Sequence, residues 1–177
     1  MNESTPKRID PDALCLRPFH VLDKEWALLV GGREKPNPMT VSWGGLGTLW
    51  NRPVATVYVR PTRHTFGLLR SGPEFTLNVL PDSMRAALDL CGTRSGRELD
   101  KWAAAGLTRV PSETVGVPRV AGAELALECR VIATFPIDPS RFLDSAIESL
   151  YPLKDYHTAF VGEVLAAFAS ERFLARP

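Results

Sequence analysis

The feature that most constrains the fold is a series of six apolar runs that are short, closely spaced and rich in β-branched and aromatic residues. They are WALLV (26–30), MTVSW (39–43), VATVYV (54–59), EFTLNVL (74–80), LALECRVIATF (125–135) and TAFVGEVLAAF (158–168). Too little chain separates most of them to place a helix after every strand, as a doubly wound parallel sheet requires. The pattern therefore predicts a mainly β fold built on an antiparallel barrel.

Three segments predict short helices between these strands. Ser95 and Glu98 have the spacing of a capping box, which predicts that a helix begins sharply at this point and continues through SGRELDKWAAAGL. The segment SMRAALDLC (83–91) places its apolar residues on one helical stripe. Asp138, which precedes a proline, predicts the cap of a third helix over 139–150.

The charge balance excludes some classes of partner. Lys and Arg number 21 against 20 Asp and Glu, so no overall field attracts nucleic acid or an anionic membrane. No run approaches the roughly 20 apolar residues that span a bilayer, and the polar N-terminus lacks the apolar core of a secretory signal. Three separated cysteines and three separated histidines fit neither a disulfide framework nor a metal site. We expect a cytoplasmic protein that forms a single domain over residues 1–177 and holds no metal.

The segment VRPTRHT (59–65) places cationic and hydroxyl side chains directly after a core strand. It predicts a short helix with Thr62 as its N-cap and Gly72 just past its end. The first turn of such a helix offers free N–H groups to an anion, and Arg60 and Arg63 can each grip two phosphate oxygens. The segment therefore predicts a phosphate cradle. An ordinary solvated turn, whose arginines pair with nearby carboxylates, stays open as the alternative.

The stretch NPMTVSWGGLGTLWNRP (37–53) combines small, hydroxyl and aromatic residues. Strand alternation places Thr40 and Ser42 on the opposite side from their apolar neighbours, and the three glycines permit a bulge or bend. A planar polar ligand needs donors along its edge and an apolar surface against its rings, and this strand offers both. Alternatively, Trp43 and Trp50 are core or dimer-interface residues.

Six blocks of the chain resemble, in order, the flavin reductase-like, flavoredoxin-type family of FMN-binding split β-barrels: NPMTVSWG, RPTRHT, FTLNVL, CGTRSGRELDKWAAAGLT, LECRVI and HTAFVGEV. The resemblance extends from about Asn37 to Val164. It implies a Greek-key split β-barrel with a few short helices. It also implies a homodimer that holds one FMN per subunit, non-covalently and near the dimer interface.

The resemblance further implies which residues bind FMN. The ribityl phosphate would be held by Arg60, Thr62, Arg63 and Thr65. The isoalloxazine and the ribityl chain would lie against Asn37, Met39, Thr40, Ser42 and Trp43. No catalytic acid or base is implied, because the flavin itself carries the chemistry.

Four more residues enter the implied cofactor site. Asn78 would supply a polar contact at the flavin edge, unless neighbouring strands already satisfy its amide. Lys101, with Ser95 near it, would stabilise the negative charge of the reduced flavin, unless it is a solvated surface lysine. His157 would lie near the nicotinamide or the flavin. Many reductases have Gly-Asp-His at this point, whereas this chain has Asp-Tyr-His (155–157), which puts direct NAD(P)H binding in question.

The segment 137–156 is longer than a hairpin between two strands requires, and we expect a helical insert that caps the site or extends the dimer contact. The leading functional hypothesis is an FMN-dependent oxidoreductase that passes electrons from NAD(P)H or a protein donor to a flavin, ferric or protein acceptor. The main alternative is an FMN-binding electron carrier or flavin store without hydride transfer. A pyridoxamine phosphate type of oxidase is a weaker alternative, since it needs a second phosphate site.

Overall fold

The computed structural model describes residues 6–174, and its main feature is a large antiparallel sheet of eight strands. The strands are β1 (Lys7–Ile9), β2 (Ala27–Gly31), β3 (Asn37–Val41), β4 (Gly44–Leu49), β5 (Arg52–Val59), β6 (Glu74–Val79), β9 (Leu125–Pro136) and β10 (Thr158–Ala169), while β7 (Arg109–Val110) and β8 (Arg119–Val120) form a separate pair. The order in the sheet is β3-β2-β6-β9-β10-β5-β4, and β1 pairs with β10. The predicted mainly β fold is confirmed.

All six predicted strands are present, and the glycine-rich stretch adds another. Gly44 to Leu49 forms β4 at the edge of the sheet instead of a simple bend. A tight hairpin joins β4 to β5, and both of its turn residues, Trp50 and Asn51, have positive φ. Glycine lowers the intrinsic strand propensity of this stretch, so pairing with β5 rather than local preference stabilises it.

Apolar side chains fill the space on both sides of the central strands. Leu29, Leu77 and Leu127 pack in one buried cluster. On the other face of β2, Leu28 joins a second cluster beneath the helices, together with Trp102. Because β2 is buried on both faces, its sequence is a continuous apolar run and not an alternating one.

Within residues 6–174, four short α-helices lie between the strands: α1 (Pro18–His20), α2 (His64–Ser71), α3 (Arg85–Thr93) and α4 (Lys101–Ala104). The prediction of a helix that begins at a Ser95–Glu98 capping box is wrong. The Asp100 side chain accepts from the Trp102 N–H and caps α4, so this helix begins five residues later than predicted. Ser95 accepts only from the Arg97 N–H, in a local turn. Asp100 is better placed than Ser95 to cap the helix, because it directly precedes the buried residues Lys101 and Trp102.

The insert 137–156 is not one helix, which corrects the prediction. It forms two separate 3₁₀ turns, Pro139–Arg141 and Ser145–Leu150. Asp138 caps the first turn as expected, but Asp144 caps a second start and so divides the segment. Most of the insert is exposed, so little apolar burial is available to stabilise a longer helix.

Strand pairing brings the distant parts of the site together. Val59 at the end of β5 pairs with Thr158 at the start of β10, so Arg60 and His157 are neighbours just beyond the paired region. The Ile137 N–H donates to the His157 carbonyl, so the insert leaves and re-enters the sheet at this same point. The insert therefore borders the end of β5, where VRPTRHT begins.

Candidate functional site

Two adjoining clefts open where β5 ends and α2 begins. The central cleft has a volume of about 350 Å³, and the helix cleft, beside the N-terminus of α2, has a volume of about 210 Å³. Met39, Thr62 and Arg63 line both clefts. Thr40, Ser42, Trp43, Arg60 and His157 also line the central cleft, and Asn37, Thr65, Ser95 and Lys101 also line the helix cleft. The structure thus brings all but one of the predicted cofactor residues together.

The N-terminus of α2 forms one wall of the helix cleft. Arg63, and not the predicted Thr62, occupies the N-cap position, and no side chain caps the first turn. The Phe66 N–H donates to the Arg63 carbonyl at 3.1 Å, whereas the N–H groups of His64 and Thr65 come before the first intrahelical acceptor. Inside the cleft, Asn37 donates to the Thr65 hydroxyl at 2.9 Å, and both residues are buried. Gly72 ends the helix as predicted.

Lys101 is buried beside the helix cleft and is not a solvated surface lysine. Its Nζ donates to the carbonyls of Cys91 at 2.7 Å and Pro38 at 3.1 Å. Burial lowers the pKa of Lys101, the neighbouring Cys91 opposes this effect, and the charge of Arg63 adds to it. Arg63 itself donates to the Gly92 carbonyl at 2.7 Å. Two cationic side chains thus bind the carbonyls of the last turn of α3 and hold it against β3 and the start of α2.

Arg60 and Thr62 face the insert and are already engaged. Arg60 donates to the Asp155 carboxylate at 2.6 Å and to the Leu150 carbonyl at 3.0 Å, and Thr62 donates to the second Asp155 oxygen at 3.2 Å. Burial would raise the pKa of Asp155, but the hydrogen bonds and charge of Arg60 outweigh it and lower that pKa. Of the four predicted phosphate ligands, Arg60 and Thr62 thus already bind a carboxylate, whereas Arg63 and Thr65 do not bind Asp155.

Residues of β3 and the stretch after it form the opposite wall of the central cleft. Met39 is buried, and the Thr40 hydroxyl donates to the Leu88 carbonyl at 2.5 Å, which ties this wall to α3. Ser42 is half-buried. Trp43 is 42% exposed, so it is not a core residue. The wall therefore offers an aromatic surface and a hydroxyl group to a ligand.

His157 lies between two aromatic rings at the edge of the central cleft. Its ring centroid is 5.0 Å from that of Trp43, and its Nδ1 is 2.9 Å from the Tyr151 hydroxyl. Burial and, next, the positive charge of Arg60 lower the pKa of His157 to about 4. The imidazole is therefore neutral at physiological pH and carries a hydrogen on only one nitrogen.

Asn78 is the one predicted residue that lies outside both clefts, which corrects its assignment to the flavin edge. Its amide donates to the Leu28 carbonyl and the Thr76 hydroxyl, and its oxygen accepts from the Val120 N–H. The side chain is fully buried. The alternative of a strand asparagine that is satisfied by its neighbours is therefore the correct one.

Comparisons with known proteins agree with this geometry. The model of the "Flavin reductase like domain" family matches residues 26–175. This chain belongs to the flavin reductase-like family. An uncharacterized protein from Archaeoglobus fulgidus is 30% identical over 151 residues, which are 82% of this chain and 72% of the relative.

Solved structures show the split-barrel fold of the flavin reductase-like family. Flavoredoxin from Methanosarcina acetivorans has a TM-score of 0.68 at 24% identity, and the alignment covers 96% of this chain and 77% of that one. An FMN-binding protein from Thermus thermophilus with bound p-hydroxybenzaldehyde has a TM-score of 0.67 at 25% identity, with 97% and 86% covered. The predicted split barrel is confirmed.

Several residues that line the clefts of this flavin reductase-like chain were missed by the sequence interpretation. Tyr58 lines the central cleft, and the alternation of β5, with Val57 and Val59 buried, could have identified it. Arg94 lines the helix cleft and lies inside the block CGTRSG. The sequence interpretation included Asp155 only as a departure from Gly-Asp-His. Its pairing with Arg60 was missed because no local pattern indicates a partner 95 positions away.

Within residues 6–174, no three or more His, Cys, Asp or Glu side chains are grouped so that they could hold a metal ion. None of the helices in this range is long and apolar enough to cross a membrane.

We expect His157 to make the stability of the protein fall on acidification. The unfolded chain takes up this proton near pH 6.5 and the folded chain only near pH 4, so the contribution is complete above pH 6.5 and is lost between these values. The full pKa shift corresponds to about 3 kcal/mol, which solvent in the cleft reduces to about 1–2 kcal/mol. Urea unfolding between pH 7 and pH 4 measures this loss of unfolding free energy.

A His157→Gln variant should show a smaller loss of unfolding free energy over this pH range. His20→Gln is the matched control, because His20 lies outside both clefts. An equal pH dependence in the wild type and in His157→Gln would contradict the assignment of this stability to His157.

Proposed function

We propose that the protein binds FMN non-covalently and passes electrons from NAD(P)H or a protein donor through it to a flavin, ferric or protein acceptor. The observation that supports this most directly is the order of the two clefts. A cationic cleft at a helix N-terminus continues into one with an aromatic wall and hydroxyl groups. FMN carries its phosphate, ribityl chain and planar ring in the same order.

The residues of the clefts fit this cofactor. The uncapped first turn of α2, with Arg63 and Arg94 beside it, suits a phosphate dianion. Trp43 offers a ring surface and Ser42 offers a hydroxyl in the central cleft, which adjoins the helix cleft where the phosphate would bind. Family membership and the FMN-binding neighbour from Thermus thermophilus support the same cofactor.

Each part of the chain has a distinct role in this proposal. FMN, when bound, supplies the hydride and single-electron chemistry, so the protein need only bind, orient and tune it. Arg63 and the α2 N–H groups bind the phosphate, and Trp43 with Ser42 orients the ring. Lys101 places positive charge near the cofactor and favours a reduced, anionic state. His157 borders the position at which an electron donor would stack.

The alternative of an FMN-binding electron carrier or store is favoured by one observation. The insert lies against the central cleft, because Arg60 binds both Asp155 and the Leu150 carbonyl. This chain has Asp155 and Tyr156 where many reductases have Gly-Asp before the histidine. A second planar molecule such as nicotinamide would have to enter beside this segment.

The spectrum of the purified protein separates the two functions. After FMN is added and the excess removed, we expect a retained flavin band in the visible range. Anaerobic addition of NADH, and separately of NADPH, should bleach this band with at least one nucleotide if the protein is a reductase. A retained band that neither nucleotide bleaches would support the carrier, and the absence of a retained band would contradict FMN as a resident cofactor.

We also propose that each subunit is one flavin reductase-like domain and that two copies form a homodimer. Within residues 6–174, no strand covers the outer edge of β4. Phe19, which borders a groove beside β4, is 90% exposed, and Trp50 at the β4 hairpin is 56% exposed. A second copy would cover this apolar surface. Light scattering of the purified protein tests this, and a monomeric mass would contradict it.

A further inference from the structure

The insert brings a buried tyrosine to the side of His157 that is turned away from the central cleft. Tyr151 is only 4% exposed, and its hydroxyl lies 2.9 Å from His157 Nδ1. The two rings are nearly perpendicular, at 76°, with centroids 5.5 Å apart. His157 lines the central cleft, whereas Tyr151 does not. With Nδ1 bound to Tyr151, Nε2 is the ring nitrogen left for a ligand.

Tyr151 is itself held from several directions. The Arg60 guanidinium lies 4.8 Å from the centre of its ring, and Asp155 fixes that guanidinium by a salt bridge. Phe142 stacks against the ring, with centroids 6.3 Å apart and an interplanar angle of 22°. These contacts leave the phenol little freedom to turn away from His157.

The chemistry of the pair determines where the imidazole carries its hydrogen. A neutral imidazole has one N–H donor and one bare nitrogen that accepts strongly. A phenol is a good donor, and its oxygen is a weaker acceptor than a bare imidazole nitrogen. The favoured arrangement is therefore a Tyr151 O–H that donates to Nδ1, which leaves the hydrogen of His157 on Nε2.

We propose that Tyr151 is a positioning residue, which holds His157 as its Nε2–H tautomer and so makes it a hydrogen-bond donor to the central cleft. The ligand chemistry that suits such a donor is a carbonyl oxygen, as on a flavin ring or on the carboxamide of a nicotinamide. The identity of the ligand rests on the proposed function. The tautomer is a property of this chain and does not depend on it.

The tautomer can be measured by nitrogen-15 NMR of the full chain without any cofactor. The chain has only three histidines, so single His→Gln variants assign their signals. In the wild type at pH 7, we expect His157 Nδ1 to resonate as a bare nitrogen and Nε2 as a protonated one. In Tyr151→Phe, the ring packing is kept and only the hydroxyl is lost, so the signals should shift toward a mixture of tautomers.

Tyr156→Phe is the matched control. The Tyr156 hydroxyl also belongs to the insert, but it donates to Glu148 at 2.6 Å and not to a histidine. We expect this variant to leave the His157 signals unchanged. Thermal unfolding of both tyrosine variants shows whether either has lost its fold.

Binding provides a second readout. Tyr151→Phe should weaken the binding of FMN, or raise the KM for the nucleotide donor, by about three- to tenfold, the range of one neutral hydrogen bond. In a His157→Gln background, the same change should have no further effect, because the tautomer no longer exists. This coupling distinguishes positioning from general support of the fold.

Two outcomes would overturn the proposal. One is a wild-type His157 that is protonated on Nδ1, since Tyr151 would then be the acceptor. The other is a Tyr151→Phe variant whose tautomer and ligand binding both match the wild type. Failure of the wild type to retain FMN, with the expected tautomer intact, would contradict the proposed function but not the role of Tyr151.

Discussion

Arg63→Gln is expected to weaken FMN binding about 10- to 100-fold, because it removes a charge-assisted hydrogen bond worth about 1.5–3 kcal/mol. Arg63 lines both clefts and occupies the N-cap position of α2. Riboflavin, which lacks the phosphate, should lose much less affinity than FMN. Fluorescence titration of both flavins gives the ratio of the two dissociation constants. That ratio isolates the phosphate contact from a general disturbance of the cleft.

Two comparison variants sharpen this experiment. Arg70→Gln removes an exposed charge at the other end of α2 and should leave the ratio unchanged. The double change Arg60→Gln with Asp155→Asn removes a paired cation and anion together. We expect it to alter the ratio less than about threefold, since the pair is already neutralised. A loss in the double variant as large as that in Arg63→Gln would show that Arg60 binds the phosphate instead.

Gly96→Ala is expected to disrupt the helix cleft and to destabilise the protein by about 1–3 kcal/mol, the usual cost of overpacking. A Cβ at this position would lie 1.8 Å from Asn37 Oδ1 and 3.1 Å from His64 Cδ2. Asn37 is buried and bonded to Thr65, so it cannot move aside without loss of that bond. Urea unfolding and FMN titration measure the two effects.

Gly67→Ala is the matched control for this substitution. Gly67 lies on the exposed face of α2, and a Cβ there would meet nothing within 4 Å. Because alanine is the better helix former, we expect Gly67→Ala to be neutral or to stabilise by up to about 1 kcal/mol. If Gly96→Ala bound FMN and unfolded like Gly67→Ala, the close approach of this segment to Asn37 would not matter for the site.

The sequence predicted the strands better than the segments between them. Apolar runs such as VATVYV identify β5 because burial of alternate side chains is encoded locally. The edge strand β4 was missed, since Gly44, Gly45 and Gly47 carry no such signal and only its partner stabilises it. The start of α4 was misplaced because two capping patterns compete, and tertiary burial of Trp102 selects Asp100.

The clefts show the same division between local and distant effects. Arg63, Thr65 and Lys101, which the resemblance assigns to the cofactor, line one cleft. The resemblance could not indicate that Asp155, 95 positions further along the chain, already neutralises Arg60. It likewise gave no indication of Tyr151 behind His157, because the insert has no counterpart among the blocks that carry the resemblance. Pairing between distant segments is thus what sequence patterns left undetermined.

The position of β10 has a consequence for biosynthesis. This late strand, Thr158–Ala169, lies between β9 and β5 and also pairs with β1. A nascent chain that has not yet released residue 169 from the ribosome therefore lacks the middle of its own sheet. Until β10 is available, earlier strands such as β5 have one unpaired edge and expose much apolar surface to chaperones and proteases. The sheet, and with it both clefts, is thus completed in one late step, only after residue 169 has left the ribosome.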